Sequence, residues 1–359
     1  MSSPDAAIIL PPNEGFGPEA VGAIGLLVHR LARAGAGGIV LGLPLEGEPF
    51  PDVPFRPVEP GWGLTRAARY VSGLSAALRQ IRPSLIEVHN RPEVALGLTG
   101  LGRPVSLILN NDPQGMRGVR SARQRTRMLR QLALTMTSSE WLRHRLLEGV
   151  AEPARNPVVL YNCIEVPPRA AGHRENLILF AGRVVSDKGA DTFVEACTRA
   201  LPQLPGWRAE IIGADRFRAD SPDTDFLRAL RPRAEAAGIT LRGHLPNDAV
   251  LAAMQRAAIV LVPSRWDEPF GLVALEAMAC GAALICSPRG GLPEVAGETA
   301  VYADPEQPGD VAAAILDLAN DVGRRATLAA AARLRSEGFG APAAAARLLG
   351  LRAEIAAGC

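Results

Sequence analysis

Residues 265–281 are Arg265-Trp-Asp-Glu-Pro-Phe-Gly-Leu-Val-Ala-Leu-Glu-Ala-Met-Ala-Cys-Gly281. The two glutamates of this stretch, Glu268 and Glu276, are eight residues apart. Pro269 suits the first position of an α-helix, and Gly271 leaves room for another group to approach the amino terminus of that helix. Apolar residues at helical spacing predict a buried stripe of Leu272, Leu275, Met278 and Ala279. We therefore predict a helix with one carboxylate at its amino terminus and the other about two turns further in.

The amino terminus of this predicted helix is suited to an anion. Its first N–H groups have no partner within the helix, and the helix dipole is positive there. A diphosphate could accept hydrogen bonds from the amides of Phe270, Gly271 and Leu272. Glu268 and Glu276 could then bind neutral hydroxyl groups on either side of it, which matches the layout of a sugar nucleotide. The alternative is an amphipathic helix with two surface acids.

The pattern Glu-Pro-Phe-Gly-Leu followed by Glu-Ala-Met-Ala-Cys-Gly resembles the E-x7-E signature of the family 4 type of retaining glycosyltransferases. This resemblance implies the α/β architecture called GT-B, in which two Rossmann-like domains have parallel sheets that face each other across a cleft. It also implies that Glu268 is catalytic and addresses the donor sugar, and that Glu276 binds the ribose hydroxyls.

Lys188 is the only lysine of the chain, and every other cationic side chain of its 39 Lys and Arg is arginine. A single lysine in such a composition indicates a position where the compact ammonium group of lysine suits better than the planar guanidinium of arginine. It follows an apolar strand, a glycine and Arg183, and it precedes Gly189. This segment resembles the G-R-x4-K-G element of the same family, which implies that Arg183 and Lys188 hold and neutralise the donor diphosphate. A solvated lysine at a helix start is the alternative.

Further segments resemble donor-binding loops of the family. One is the glycine loop after the first strand, and two others lie around the nucleotide base and its ribose. The segment 287–294 resembles a glycine-rich turn that packs behind the diphosphate. The resemblance thus adds to the donor site Gly15, Gly17, Gly213, Gly243, His244 and Leu245.

Polar residues follow two predicted strands of the first half and are candidates for binding the acceptor. They are His89 after one strand, and Asn110 and Asp112 after the next. Relatives often have a histidine where this chain has Asn110, so His89 is a candidate substitute. A histidine whose hydrogen bonds are satisfied at a strand end is the alternative for His89.

Eleven short runs rich in Val, Ile and Leu alternate with helical patterns, which indicates parallel sheets covered by helices. Those of the first half are residues 6–10, 38–41, 84–88, 105–109, 134–137 and 158–160. Those of the second half are residues 177–180, 209–212, 239–241, 259–262 and 283–286.

The proline-rich stretch 166–172 predicts the seam between the two domains. We expect an amino-terminal, acceptor-side Rossmann-like domain at 1–168 and a carboxy-terminal, nucleotide-sugar donor domain at 169–339. The resemblance implies that a last helix, at about 340–359, crosses back to the first domain.

Composition and charge exclude several classes of protein. The chain has 359 residues, 48% of them hydrophobic, which allows two separate cores. No segment has the roughly 20 uninterrupted apolar residues of a spanning helix, and no signal peptide is predicted, so we expect a cytoplasmic protein. A net charge of +2 argues against a nucleic-acid partner. Five cysteines without C-x2-C spacing predict neither a disulfide framework nor a zinc site.

Six arginines crowd into the segment Arg117–Arg130. They are Arg117, Arg120, Arg123, Arg125, Arg127 and Arg130. One interpretation is a solvated helix face. The other is a surface that contacts anionic lipid or a pyrophosphate-bearing acceptor, which would make the enzyme peripheral at the inner face of the membrane.

The function that these motifs predict is transfer of a sugar from a nucleoside-diphosphate sugar to a saccharide or lipid-linked acceptor. The resemblance implies retention of anomeric configuration and a role in polysaccharide or glycolipid synthesis. We expect no cofactor and no metal, because cationic side chains and a helix dipole can stabilise the leaving diphosphate. The alternatives are a sugar-nucleotide epimerase or hydrolase on the same fold and a catalytically silent sugar-binding scaffold. A nicotinamide enzyme is disfavoured because the glycines of residues 35–38 precede a strand.

Overall fold

The computed structural model describes residues 5–18, 21–151, 153, 155–168, 174–215 and 223–358. The chain divides into two compact units. The first consists of Met1–Glu165 with Phe339–Cys359, and the second consists of Val166–Gly338. Part of the predicted seam, residues 169–172, lies outside the described residues.

Thirteen strands form two sheets in the described part of the chain. The strands are β1 (Ala6–Ile9), β2 (Ile39–Gly42), β3 (Phe55–Pro57), β4 (Leu85–His89), β5 (Val105–Leu109), β6 (Leu134–Thr137), β7 (Val158–Val159), β8 (Glu175–Ala181), β9 (Arg208–Ile212), β10 (Ile239–Leu241), β11 (Ala257–Val262), β12 (Ala283–Cys286) and β13 (Ala300–Tyr302). The first unit has the order β3-β2-β1-β4-β5-β6-β7, and the second has β10-β9-β8-β11-β12-β13. All the strand pairings of these two sheets are parallel.

Helices cover both sheets. They are α1 (Ala23–Leu31), α2 (Arg66–Ile81), α3 (Pro92–Leu98), α4 (Ala122–Gln131), α5 (Glu140–Leu147), α6 (Ala190–Ala200), α7 (Asp225–Ala236), α8 (Asn247–Arg256), α9 (Leu272–Ala279), α10 (Leu292–Ala296), α11 (Pro308–Asn320), α12 (Val322–Glu337) and α13 (Ala341–Ala357). In the first unit, α2 to α5 share one hydrophobic core, while α1 and α13 pack in another. None of the described helices is long and apolar enough to cross a membrane.

Both sheets contain a point at which the strand order reverses. The chain moves outward from β1 through β2 and β3, then returns to place β4 on the other side of β1. The second sheet repeats this pattern with β8 and β11. Ligands of open parallel sheets bind outside the carboxyl ends of the strands at such a switch point. The loops after β8 and β11 are therefore where a site is expected in the second unit.

Two strands and one helix boundary differ from the sequence prediction. Each of the eleven predicted runs overlaps a strand. The edge strands β3 and β13 were not predicted, because each is three residues long and β3 ends at a proline. The helix expected to begin at Pro269 begins at Leu272. Gly271, at its N-cap, has a positive φ of 102°, which keeps the preceding turn out of the helix.

Candidate active site

The loops that follow β8 and β11 are bonded to each other at the switch point of the second sheet. The carbonyl oxygen of Asp187 accepts hydrogen bonds from the backbone N–H groups of Arg265 and Trp266, at 2.9 and 3.0 Å. The Ser264 Oγ lies 3.2 Å from the same oxygen. Two segments that are almost 80 residues apart in the sequence therefore form one structure beside the central strands.

Lys188 and Glu268, both predicted to be catalytic, form an ion pair in this structure. The Lys188 Nζ donates to the Glu268 Oε1 at 2.6 Å, and the Ser264 Oγ donates to the same oxygen at 2.9 Å. The side chains of Lys188 and Glu268 are 24% and 12% exposed. The pair is therefore partly solvated, and a ligand can reach it.

Arg265 ties both loops to the rest of the unit, and the sequence did not single it out. Its guanidinium donates to Asp191 Oδ1 at 2.7 Å, to Thr192 Oγ1 at 2.8 Å and to Glu306 Oε2 at 3.2 Å. The hydrogen bond with Asp191 is the largest cause of a raised pKa for Arg265. Arg265 thus fixes the start of α6 against the loop that contains Glu268.

Two glycines allow the backbones of this site to approach closely. Gly189 has a φ of 70°, and a Cβ there would overlap the carbonyl oxygen of Pro263. Gly290 has a φ of 63°, and a Cβ there would overlap the backbone of Glu268. The amide of Gly291 donates to the Glu268 carbonyl oxygen at 2.6 Å. The glycine-rich segment 287–294 therefore packs directly behind Glu268.

Glu276 is buried on helix α9 of the second unit. The helix is buried nearly all round, and Glu276 is only 7% exposed. Phe270 is 2% exposed, and Leu272 is half-buried at the first helical position. The predicted stripe is thus part of a wider apolar surface, because Ala274 and Ala277 are buried as well.

The remaining predicted donor residues of the second unit lie at neighbouring strand ends of its sheet. Arg183 follows β8 and is exposed. The amide of Gly213, after β9, donates to the carbonyl oxygen of Gly243, after β10, at 2.8 Å. His244 is exposed and Leu245 is half-buried. These residues share the carboxyl edge of the sheet with Lys188 and Glu268.

In the first unit, His89 belongs to a buried ionic network. It is 1% exposed, and its Nε2 lies 3.3 Å from Glu87 Oε1. Arg352 of α13 binds both carboxylate oxygens of Glu87 at 3.0 Å. Burial alone would raise the pKa of Glu87, but the charge of Arg352 and the hydrogen bond with His89 lower it to about 2. An acceptor could reach His89 only if the surrounding residues moved.

Asn110 and Asp112 occupy different environments after β5. The backbone amide of Asn110 donates to Asn90 Oδ1 at 3.1 Å, and within the described residues its side-chain amide has no hydrogen-bond partner. Asp112 accepts from the amide of Gln114 at 2.9 Å and binds Arg145 at 2.9 Å. The carboxylate of Asp112 is therefore engaged by structural contacts.

The loop of Gly15 and Gly17 is closely packed. A Cβ at Gly17 would overlap the backbone of Glu48. Glu14 Oε1 accepts from the amides of Ile24 and Gly25 at 3.0 and 2.8 Å, at the amino terminus of α1. Burial raises the pKa of Glu14. A side-chain carboxylate thus takes the amides that a phosphate would bind at this helix terminus.

The arginine-rich segment Arg117–Arg130 has one buried member. Arg125 is 3% exposed and donates to the backbone oxygens of Leu146, Val119, Arg120 and Glu148. Its role is structural, so the prediction that it contributes to a charged surface is wrong. The other five arginines are exposed. Three of them line a surface cavity of about 630 Å³, namely Arg123, Arg127 and Arg130.

Both carboxylates of the Asp-x-Asp sequence at the start of α7 are paired with arginines. One Asp-x-Asp sequence precedes and begins α7, where Asp223 binds Arg231 at 2.7 Å and Asp225 binds Arg228. Within the described residues no group of three or more His, Cys, Asp or Glu side chains is placed to hold a metal ion.

Comparisons with known proteins agree with this geometry. Residues 165–335 match the family model for glycosyl transferases group 1. The D-inositol 3-phosphate glycosyltransferase of Xylanimonas cellulosilytica is 38% identical over 187 residues, which cover 50% of this chain and 42% of that protein. The glycogen synthase of Mycobacterium tuberculosis is 35% identical over 162 residues, which cover 44% of this chain and 37% of that protein. The chain thus matches about two fifths of the length of these curated relatives.

Solved structures match over nearly the whole chain. The crystal structure of the Anabaena HepE protein with UDP superposes with a TM-score of 0.78 at 16% sequence identity. The match covers 98% of this chain and 100% of the HepE chain. The sucrose-phosphate synthase of Thermosynechococcus elongatus has a TM-score of 0.77 at 19% sequence identity. This match covers 99% of this chain and 100% of the synthase chain. The second unit therefore matches the group 1 glycosyltransferase family, and the chain has the GT-B fold of two parallel-sheet α/β domains.

Proposed function

We propose that this protein is a retaining glycosyltransferase of the family 4 type that uses a nucleoside-diphosphate sugar. The observation that carries the proposal is the Lys188–Glu268 ion pair at the switch point of the second sheet. The ion pair brings the E-x7-E segment, which contains Glu268, next to the G-R-x4-K-G segment, which contains Lys188. We infer that these two motifs, far apart in the sequence, bind the same ligand.

The donor diphosphate binds Arg183, Lys188 and the amides at the amino terminus of α9. When it arrives, Lys188 exchanges its contact with Glu268 for a phosphate oxygen, and Glu268 is then available to bind a hydroxyl group of the sugar. Glu276, deeper on α9, accepts from the ribose hydroxyls. Cationic side chains and amides that are in position before charge develops lower an activation barrier.

The reaction breaks the bond between the anomeric carbon and the phosphate oxygen. The acceptor oxygen forms the new bond to that carbon on the same face, and its proton passes to the departing diphosphate. Lys188 and Arg183 stabilise the negative charge that accumulates on the phosphate oxygens. No protein nucleophile or metal ion takes part in the proposed reaction. The acceptor is a saccharide or a lipid-linked saccharide in polysaccharide or glycolipid synthesis.

The five exposed arginines of Arg117–Arg130 are proposed to contact an anionic membrane that carries the acceptor. They crowd into a short segment that contains no acid between Arg117 and Arg130. Each basic residue near such a surface contributes on the order of 1 kcal/mol. Converting Arg123, Arg127 and Arg130 to glutamine should therefore weaken binding to anionic vesicles and reduce its dependence on salt.

A panel of sugar nucleotides tests the proposed reaction. We would measure thermal stabilisation by each nucleotide and then transfer to sugar acceptors, beginning with uridine diphosphate sugars because UDP is the ligand in the crystal structure of HepE. Transfer with retained configuration supports the proposal. Release of an epimer or of free sugar alone would favour the epimerase or hydrolase alternative, and binding without turnover would favour the scaffold.

A further inference from the structure

The loop before α2 exposes two large apolar side chains at its tip. Trp62 is 85% exposed and Leu64 is 93% exposed, more than any other large hydrophobic residue in the described part of the chain. A single exposed apolar residue is ordinary on a protein surface, but two of them separated by one glycine at this level of exposure indicate a contact that the isolated chain does not make.

The backbone of this loop is held in place. The amide of Gly61 donates to the carbonyl oxygen of Arg69 at 2.8 Å, and Thr65 caps α2 by accepting from the amide of Ala68 at 3.1 Å. A Cβ at Gly63 would lie within 3 Å of Ala68. The loop therefore folds back on the first turn of α2 and presents Trp62 and Leu64 on a fixed support, which reduces the entropy lost on binding.

The part of the sequence that contains this tip is basic overall, although the exposed Glu59 precedes the tip. Residues 60–139 contain twelve arginines and three acids, a net charge of +9, whereas the whole chain has +2. Two of those three acids already bind arginines, Glu87 through Arg352 and Asp112 through Arg145. The helices of this range, α2, α3 and α4, form one continuous layer of the first unit. A partner of this layer must therefore accept both apolar side chains and positive charge.

We propose that Trp62 and Leu64 insert into the headgroup region of an anionic lipid bilayer while Arg66 and Arg69 bind lipid phosphates. Both arginines are exposed and lie on the first turn of α2, next to the tip. Tryptophan prefers the membrane interface because its ring is apolar and its N–H is polar, and basic residues beside it add attraction to anionic lipid. The inference rests on the membrane contact proposed for Arg117–Arg130 and adds an apolar insertion point to it.

Vesicle co-sedimentation with the full-length protein tests this insertion. Vesicles of phosphatidylcholine with and without phosphatidylglycerol are compared for the wild type and for the double variant Trp62→Ala/Leu64→Ala. The matched control is Leu334→Ala, because Leu334 is 69% exposed in the second unit. We expect the double variant to lose at least about tenfold in binding to the anionic vesicles, since burying one large apolar side chain is worth more than that factor. The control variant should bind as the wild type does.

Two further measurements separate insertion from its alternatives. The tryptophan fluorescence of the wild type should shift to the blue with anionic vesicles, and Trp62→Phe should remove that shift. Arg66→Gln/Arg69→Gln should weaken binding mainly at low salt. Unchanged vesicle binding by the double variant would overturn the inference, and so would a lipid-independent dimer that depends on Trp62. Sugar transfer to a soluble acceptor should be unaffected in these variants, so loss of insertion and absence of transferase activity are distinguishable results.

Discussion

The first six strands of each unit have the same order, yet the carboxylate–cation pairs beside the central strands of the two units differ in burial. Glu87 and Arg352 are 1% and 10% exposed, and Arg352 also donates to the carbonyl oxygens of Ala36 and Gly37. Lys188 and Glu268 are 24% and 12% exposed at the mouth of the second sheet. The Glu87–Arg352 pair is therefore buried, with its arginine on α13, whereas the Lys188–Glu268 pair is partly exposed to solvent. Topology alone therefore does not assign function, because burial and loop contacts decide what each pair can do.

Replacing Arg352 with alanine should have the largest effect on folding. The change leaves the buried Glu87 carboxylate without its arginine and with only His89 beside it, which costs about 3 to 5 kcal/mol. Lys188→Ala should cost about 1 kcal/mol because its pair is partly solvated. Unfolding in urea measures both. If the two variants lose the same stability, the contrast in burial does not control the energetics of these pairs.

The pH dependence of stability should also distinguish the first pair. The pKa of Glu87 is lowered from 4.5 to about 2 in the folded protein. A carboxylate with a depressed pKa adds stability above its unfolded pKa, and this contribution disappears as the pH falls through the folded value. We therefore expect a loss of stability between about pH 4.5 and 2 that is smaller in Glu87→Gln. An identical pH profile for the variant would show that other groups cause acid unfolding.

The second pair should matter for turnover rather than for folding. Lys188→Ala and Arg183→Ala should each reduce kcat by about 100- to 1000-fold, because removal of one charge-stabilising contact typically costs about 3 kcal/mol in the transition state. Arg199→Ala is a suitable control, since Arg199 is exposed and binds only Glu195 among the acids of the described residues. Near-normal turnover of Lys188→Ala at saturating donor would contradict its proposed role.

The sequence predicts the central strands of both units but not the contacts that separate their functions. Buried parallel strands are continuous apolar runs, so β5 or β12 is recognisable in isolation. The Lys188–Glu268 pair links residues 80 apart, and the Arg352–Glu87 pair links residues 265 apart. Such pairs depend on which strands become neighbours, and a single sequence does not reveal this. His89 is accordingly recognised as a polar strand end, while its burial beneath α13 is not.

The two glutamates of α9 should have separable effects on binding. Glu276→Ala should weaken binding of the nucleoside diphosphate by about tenfold, the value of one hydrogen bond to a charged group. Glu268→Ala should not weaken that affinity, because it removes the carboxylate that Lys188 must leave when the diphosphate binds, and it should act through the sugar. Calorimetry with the nucleoside diphosphate and with the complete donor separates these effects. Equal losses of diphosphate affinity would contradict the assignment of Glu268 to the sugar.

The smallest effect is expected from Arg265, which touches both loops of the site and is proposed to position them. Arg265→Gln removes the contacts with Asp191 and Glu306 but keeps the backbone amide that donates to Asp187. We expect kcat to fall about tenfold with little change in KM, because a small displacement of Lys188 and Glu268 affects the transition state more than donor binding. Asp191→Asn weakens the Arg265–Asp191 contact by changing its acceptor, so it should also lower kcat. The double variant Asp191→Asn/Arg265→Gln should have about the same kcat as Arg265→Gln alone. A loss of stability without any change in kcat would assign Arg265 to the fold of the second unit alone.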